Sequence, residues 1–234
     1  MNCIITGGSK GIGKAIAINF AERGYNLCLC SRSMDDLIKA KEEIEHINPD
    51  ISVYIKSVDV SNKAEVDSFA QFALEVFDDT IDVLVNNAGV FIAGEVHTED
   101  EGNLELMMTT NLYSAYHLTR GVVHTMIQNR SGYIINISSI AGVKAYPNGG
   151  SYSISKFAMR GMSLVLREEL KDKGIKVTNV MPGATWSNSW AGVDLPQSRL
   201  MAAEDIAKAI GSILDLSDAA VMEELILRPQ LGDL

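Results

Sequence analysis

Tyr152 and Lys156 stand four residues apart in the stretch Ser138–Lys156, SSIAGVKAYPNGGSYSISK. If 151–171 is a helix, positions i and i+4 share one face, and a phenol and an ammonium lie one turn apart. An ammonium beside a phenol favours the ionised form. A unit charge at ~4 Å is worth up to ~4 kcal/mol at an effective dielectric of ~20, enough to bring a phenol from ~10 toward ~7. Such a tyrosine could pass a proton near neutral pH. The same pair also occurs on ordinary amphipathic helices, so the rest of the chain must decide what it means.

A second group of residues could hold an anion. Thr6-Gly7-Gly8-Ser9-Lys10-Gly11-Ile12-Gly13 lies between an apolar run, 2–6, and a helical pattern, 12–23. Glycines there allow a tight turn and a close approach to a pyrophosphate, with a helix N-terminus facing the charge. The spacing is Gly-x-x-x-Gly-x-Gly rather than Gly-x-Gly-x-x-Gly. About 20 residues on, a cofactor with a free ribose 2′-hydroxyl wants an acid. Here the chain reads Ser31-Arg32, without a carboxylate. Arg32 could grip a 2′-phosphate and Lys10 adds a second positive charge, which predicts NADP(H) over NAD(H). Asn86-Asn87-Ala88-Gly89 could hold a strand end against that cofactor or merely cap a turn. Asn111 falls in the middle of a helical pattern, where asparagine is mildly unfavourable, so a kink, a bound water or exposure is expected. Pro182-Gly183-Ala184-Thr185-Trp186-Ser187 marks a turn.

These groups need elements to place them. Apolar runs at 2–6, 25–31, 51–57, 81–86, 132–138, 175–181 and 222–228 read as strands. Helical patterns occupy 12–23, 34–47, 62–77, 151–171 and 203–216, and 100–128 reads as one long helix or two joined ones. In the 62–77 helix, Val66, Phe69, Phe72, Ala73 and Val76 should face inward. Strands alternating with helices give a doubly wound α/β domain with a mostly parallel sheet, whose ligands bind beyond the carboxyl ends of the strands. The pattern runs without repeat or linker, so 1–234 reads as one domain.

Composition narrows the partners. The 234 residues are 47% hydrophobic with a net charge of −10, and mean hydropathy is +0.08. The acidic balance argues against nucleic acid and anionic membranes as partners. No run approaches the ~20 apolar residues of a membrane span. The start, MNCIITGG, has no secretory pattern, so a cytoplasmic location is expected. Cys3, Cys28 and Cys30 lie in apolar runs and read as buried thiols, and no metal site is expected.

In order along the chain, TGGSKGIG at 6–13, NNAG at 86–89, Asn111, NISS at 136–139, YSISK at 152–156 and PG at 182–183 resemble the short-chain dehydrogenase/reductase family in its short single-domain form. The resemblance covers about 2–228. It implies a Rossmann-like sheet of seven strands in the order 3-2-1-4-5-6-7 and NAD(P)-dependent interconversion of a carbonyl and an alcohol. It shifts attention from Ser138 to Ser139, because the family's catalytic serine precedes the tyrosine by thirteen residues. It implies that Tyr152 is the general acid or base and that Lys156 lowers its pKa and binds the nicotinamide ribose. Asn111 would hold a water joining Lys156 to solvent. On the cofactor side it implies Gly7, Ser9, Lys10, Gly11, Ile12, Gly13, Ser31 and Arg32 at the phosphates and adenosine ribose, and Asp59 and Val60 at the adenine. Asn87, Ala88 and Gly89 would form the wall beside the ribose, and Pro182, Gly183, Thr185 and Ser187 the loop at the carboxamide. Ser187 replaces the threonine of many relatives.

The substrate side should come from 90–96, 140–148 and 184–200. Val90, Phe91, Val143, Tyr146, Trp186 and Trp190 predict a small apolar or aromatic carbonyl compound. The last stretch is expected to be a mobile substrate lid. Within the enzyme class the alternative is a 3-oxoacyl-carrier-protein reductase. Scattered basic residues and the tail EELILRPQLGDL do not favour it. A non-catalytic NADP(H)-sensing protein is the alternative of another class, and tight NADPH binding without turnover would distinguish it. The resemblance also implies a homodimer or homotetramer formed through the helices of 100–128 and 151–171.

Overall fold

The computed structural model of the chain describes residues 1–186 and 196–233. Seven strands form one sheet: β1 (Asn2–Thr6), β2 (Asn26–Ser31), β3 (Val53–Ser57), β4 (Val83–Asn86), β5 (Gly132–Ile137), β6 (Ile175–Pro182) and β7 (Glu224–Leu227). Their order is β3-β2-β1-β4-β5-β6-β7, and every neighbouring pair is parallel. Parallel neighbours need crossovers, and the helices α1 (Gly11–Glu22), α2 (Met34–Ile47), α3 (Lys63–Val76), α4 (Asn103–Met108), α5 (Ser114–Asn129), α6 (Gly150–Leu170) and α7 (Ala203–Leu214) supply them. The expected fold class and strand order are both found.

Both faces of the sheet are covered, which is why its strands read as unbroken apolar runs. Side chains alternate along each strand. In β1, Cys3 and Ile5 pack with Ile16 and Phe20 of α1, Leu37 of α2 and Ile206 of α7. Ile4, between them, packs on the other face with Phe69 of α3 and Val122 of α5. Cys3, Cys28 and Cys30 are buried free thiols, and burial raises each pKa, Cys30 to about 12. In α3, Val66, Phe69 and Ala73 are buried as expected, joined by Ala70 and Leu74, while Phe72 and Val76 are only partly covered.

The region 100–128 shows the largest local difference from expectation. It is α4, then a π-helical turn at Thr109–Tyr113, then α5. Such a turn widens a helix by one residue and re-aims the side chains it carries. Asn111 lies inside it and is fully buried. The kink was one of the outcomes that a mid-helix asparagine allows, and exposure is excluded.

Candidate active site

The carboxyl ends of β1, β4 and β5 meet three segments that carry the expected chemistry. At β1, Gly7 takes φ +66° and Gly11 φ +53°, a region that disfavours side chains. Gly13 is required by space. A Cβ there would lie 2.2 Å from the Gly7 carbonyl oxygen and 2.5 Å from Nδ2 of Asn87. The loop can therefore close tightly on α1, whose N-terminus has no side-chain cap and no acid in its first turn. With no side-chain cap, the first N–H groups of that helix are available to an anion.

Thr6 binds this loop to the end of β4. Its Oγ1 accepts from the backbone N–H of Asn87 at 3.0 Å and of Ala88 at 2.9 Å. The Asn87 amide donates back to the carbonyls of Thr6 and Gly7, at 2.8 and 3.2 Å. Asn86 points inward instead. Its Nδ2 donates to Oδ1 of Asn136 at 2.8 Å, and Asn136 donates to Ser163 at 2.9 Å. Asn86, Asn136 and Asn179 are register partners across β4, β5 and β6, all buried. Sequence reasoning named Thr6 only as the start of the glycine motif and overlooked Ser163 and Asn179, whose only signal was polar residues within apolar surroundings.

The side expected to take the adenosine lies at the ends of β2 and β3. Arg32 is exposed at the end of β2, and its charge contributes to holding the Asp59 carboxyl low, after the larger effect of Ser61. The Ser31 hydroxyl donates to the Ser33 carbonyl. Lys10 is less free than expected, because its ammonium pairs with Asp36 of α2 at 2.8 Å. Val60 packs partly buried against the core. Beyond β6, the Gly183 N–H donates to the Leu227 carbonyl at 2.7 Å, and Thr185 pairs with Met201 in an isolated bridge. Pro182 is the last residue of β6. Ser187, Trp190 and most of the expected lid of 184–200 lie outside the described residues.

At the centre, α6 carries Tyr152 and Lys156. The Ser139 hydroxyl lies near enough to the Tyr152 phenol to oppose the rise in its pKa, and it accepts from the Ala141 N–H at 3.1 Å. Ser138 turns away: its hydroxyl donates to the Lys156 carbonyl at 3.0 Å, fastening β5 to α6. Lys156 is 4% exposed, and its ammonium donates to the Ile137 carbonyl at 3.0 Å. Asn111 accepts from the Val90 N–H at 2.7 Å and donates to the Val90 carbonyl and to Ser155, at 3.0 and 2.9 Å. A Cβ on Gly89 would be 3.2 Å from Asn111 Oδ1 and 3.5 Å from Lys156 Nζ, so these three residues crowd one corner. Ser139, Tyr152, Lys156 and Asn111, the four residues that the resemblance singles out, thus lie in one corner.

The electrostatics correct the sequence arithmetic. Burial pushes the Tyr152 phenol up to about 12, with the nearby Ser139 hydroxyl opposing. Burial pulls Lys156 down to about 8. The ammonium lies over the tyrosine ring, 5.6 Å from its centroid, rather than at the hydroxyl. In this geometry desolvation outweighs the neighbouring charge.

Among the expected substrate residues, Val143 follows the 3₁₀ turn of Ile140–Gly142. Tyr146 lies close enough to Tyr152 to influence its titration. Its exposed ring lines a cavity of about 530 Å³ with His97, Ser153 and Phe157. Trp186 is 40% exposed just past the Thr185 bridge. Phe91 meets Tyr152 edge to face, ring centroids 4.9 Å apart. A larger cavity, about 820 Å³, lies elsewhere, between α5 and α6 on their outer face. Its walls include Tyr113, Tyr116, Val165 and Leu166 but not Ser139, Tyr152, Lys156 or Asn111. Among the described residues no cluster of histidine, cysteine and acids could hold a metal, and no helix is long and apolar enough to cross a membrane.

The family model described as short chain dehydrogenase matches residues 2–196. The chain belongs to the short-chain dehydrogenase family. Among curated relatives of this short-chain dehydrogenase, a sepiapterin reductase of Chlorobaculum tepidum is 34% identical over 239 residues, 99% of this chain and 97% of the relative. Among solved structures, an alcohol dehydrogenase of Thermococcus sibiricus complexed with 5-hydroxy-NADP superposes with a TM-score of 0.92. It is 28% identical, with 100% of this chain and 98% of that one covered. A metagenomic short-chain oxidoreductase in complex with NADP gives 0.85 at 29% identity, covering 99% and 98%.

Proposed function

We propose that this short-chain dehydrogenase is an NADP(H)-dependent oxidoreductase that interconverts a carbonyl and a secondary alcohol on a small apolar or aromatic substrate. The convergence of Ser139, Tyr152, Lys156 and Asn111 at the carboxyl end of β5 carries this reading. The glycine loop fits a dinucleotide, because Gly13 leaves a cradle that a Cβ would fill. Gly7, Ser9, Gly11 and Ile12 with the α1 N-terminus would take the phosphates. Arg32, exposed and without an acid beside it in sequence, would take the 2′-phosphate. Lys10 would share that task only by leaving Asp36. Complexes of the solved relatives with NADP and 5-hydroxy-NADP support the same choice.

A nicotinamide held by these residues would supply the hydride for the carbonyl carbon. Ser139 donates a hydrogen bond to the carbonyl oxygen and orients it. Tyr152, neutral at pH 7 because burial raises its pKa, holds a proton to give to the developing alkoxide. Lys156 retains most of its charge at pH 7 and stands behind the phenol, where it can steady the tyrosinate left after transfer. Asn111 fixes the corner by gripping both polar atoms of the Val90 backbone. A protonated tyrosine is the form that proton donation in a reduction requires.

The relative of 34% identity makes sepiapterin a first carbonyl to try, and the Phe91 ring set edge-on to Tyr152 suits a flat aromatic substrate. The test is oxidation of NADPH with a panel of carbonyls including sepiapterin. Tyr152→Phe should bind NADPH as the wild type does and lose ~10²-fold or more in turnover, the scale of general-acid catalysis. Equal activity in that variant overturns the assignment. Assembly is part of the same reading: the apolar outer face of the π-helical turn, α5 and α6, with Tyr113, Tyr116, Phe157, Leu164 and Val165 exposed, would be covered by a second copy of the chain.

A further inference from the structure

The helix that carries Tyr152 begins without help from its own sequence. Gly149 precedes α6 and offers no side-chain cap, and the first turn holds no acid. The acceptor comes instead from Glu99, 52 residues earlier in the chain. Its Oε2 accepts from the Ser151 N–H at 3.3 Å, and its Oε1 accepts from the Ser151 hydroxyl. Ser151 is fully buried. The fit around the carboxylate is close. Gly150 takes φ +34°, and a Cβ on it would lie 2.4 Å from the Gly94 carbonyl and 2.9 Å from Glu99 Oε2. The Gly94 N–H donates to the Asn148 carbonyl at 3.1 Å. A carboxylate at this end of a helix also faces the positive end of its dipole.

The segment that Glu99 terminates is the one that covers the tyrosine. Asn111 grips Val90 at its start, and Phe91 comes next, its ring against Tyr152. The segment is pinned at both ends, once by a buried amide and once by a carboxylate. We propose that Glu99 is a positioning residue, which by capping α6 through Ser151 sets the pose of Phe91 against Tyr152 and so the substrate side of the site. The proposal rests on the reading of Tyr152 as proton donor. Glu99 itself touches no reacting atom.

Two readouts test it. Hydrogen exchange on peptides covering 88–100 and 149–156 reports the clamp, and steady-state kinetics with NADPH and sepiapterin report its effect. In Glu99→Ala, exchange in both peptides should quicken roughly tenfold, the scale of one lost helix cap, while peptides of β1 and α1 stay protected. The KM for sepiapterin should rise roughly fivefold or more with the KM for NADPH within about twofold, since only one substrate meets the displaced wall. Glu99→Gln keeps an acceptor for the Ser151 N–H and should restore both readouts to within about threefold. Unchanged exchange in Glu99→Ala, quickening throughout the sheet, equal changes for both substrates or failure of the glutamine to rescue would each overturn the proposal. If the wild type reduces no carbonyl, the proposed function falls by itself, and the exchange readout alone then decides whether Glu99 pins the segment.

Discussion

Lys156 should make the folded chain less stable than an apolar residue would at the same place. The lysine titrates near 8 when folded, against an ordinary value of 10.5, and burial is the cause. Below about pH 8 both the folded and unfolded chains hold the proton, so folding forces a charge into a poorly solvated place. Between about 8 and 10.5 the unfolded chain binds more protons, and wild-type stability rises with pH through that window. At ~1.4 kcal/mol per pKa unit the penalty at neutral pH is about 3 kcal/mol. Lys156→Met removes it and keeps most of the packing. The substitution also takes the donor from the Ile137 carbonyl, a loss of about 1 kcal/mol. The variant should therefore be about 2 kcal/mol more stable at pH 7, or roughly 4–8 °C in melting temperature for a chain of this size. It should also lose turnover. Thermal melts of both proteins at steps from pH 7 to 10.5 provide the assay. Their difference should shrink above pH 8 and end with the wild type ahead by about 1 kcal/mol. A difference that stays flat with pH, or a variant less stable at pH 7, refutes the reasoning.

Two further outcomes can be stated. Arg32→Asp should weaken NADPH binding by roughly tenfold or more while leaving NADH binding unchanged or improved, as expected when a charge-assisted phosphate contact is lost; titration of both cofactors into both proteins checks it, and unchanged NADPH affinity removes Arg32 from the site. Sedimentation at micromolar concentration should find wild-type chains at least dimeric, and Val165→Asp, which puts a charge on the exposed apolar face of α6, should yield monomers; a monomeric wild type removes the assembly reading.

The fold was legible because its signals are local and repeated. Apolar runs such as 132–138 alternate with helical patterns, and each strand is too hydrophobic to face water on either side. The glycine loop was legible for the same reason, since Gly13 answers to Gly7 a few residues away. Contacts between distant segments left no such trace. Glu99 reads as one acid among several in a polar loop, and only the folded chain brings it to Ser151. Thr6 looks like the first letter of a glycine motif until its hydroxyl is found holding Asn87 and Ala88. Asn111 was halfway legible: its poor helix propensity marked it, but the π-helical turn that turns it toward Val90 depends on tertiary packing.

The proton chemistry of Tyr152 shows where a spacing argument ends. Four residues on a helix set the phenol and ammonium on one face, and a Coulomb estimate then lowers the tyrosine. That estimate assumes that the charge is as well solvated as the phenol. Here both groups are desolvated, so each is pushed toward its neutral form: the phenol up to about 12 and the ammonium down to about 8. The two effects work together. A neutral phenol is a competent donor, and the charge it leaves behind after transfer appears beside a lysine that still carries most of its own at pH 7. In the proposed reaction the lysine would matter most after the proton has moved, when the phenolate is fully formed. On the proposed mechanism, positioning by Ser139, Asn111 and the walls around them would govern how well the resting tyrosine is aimed, and Lys156 would govern how much the transferred state is stabilised.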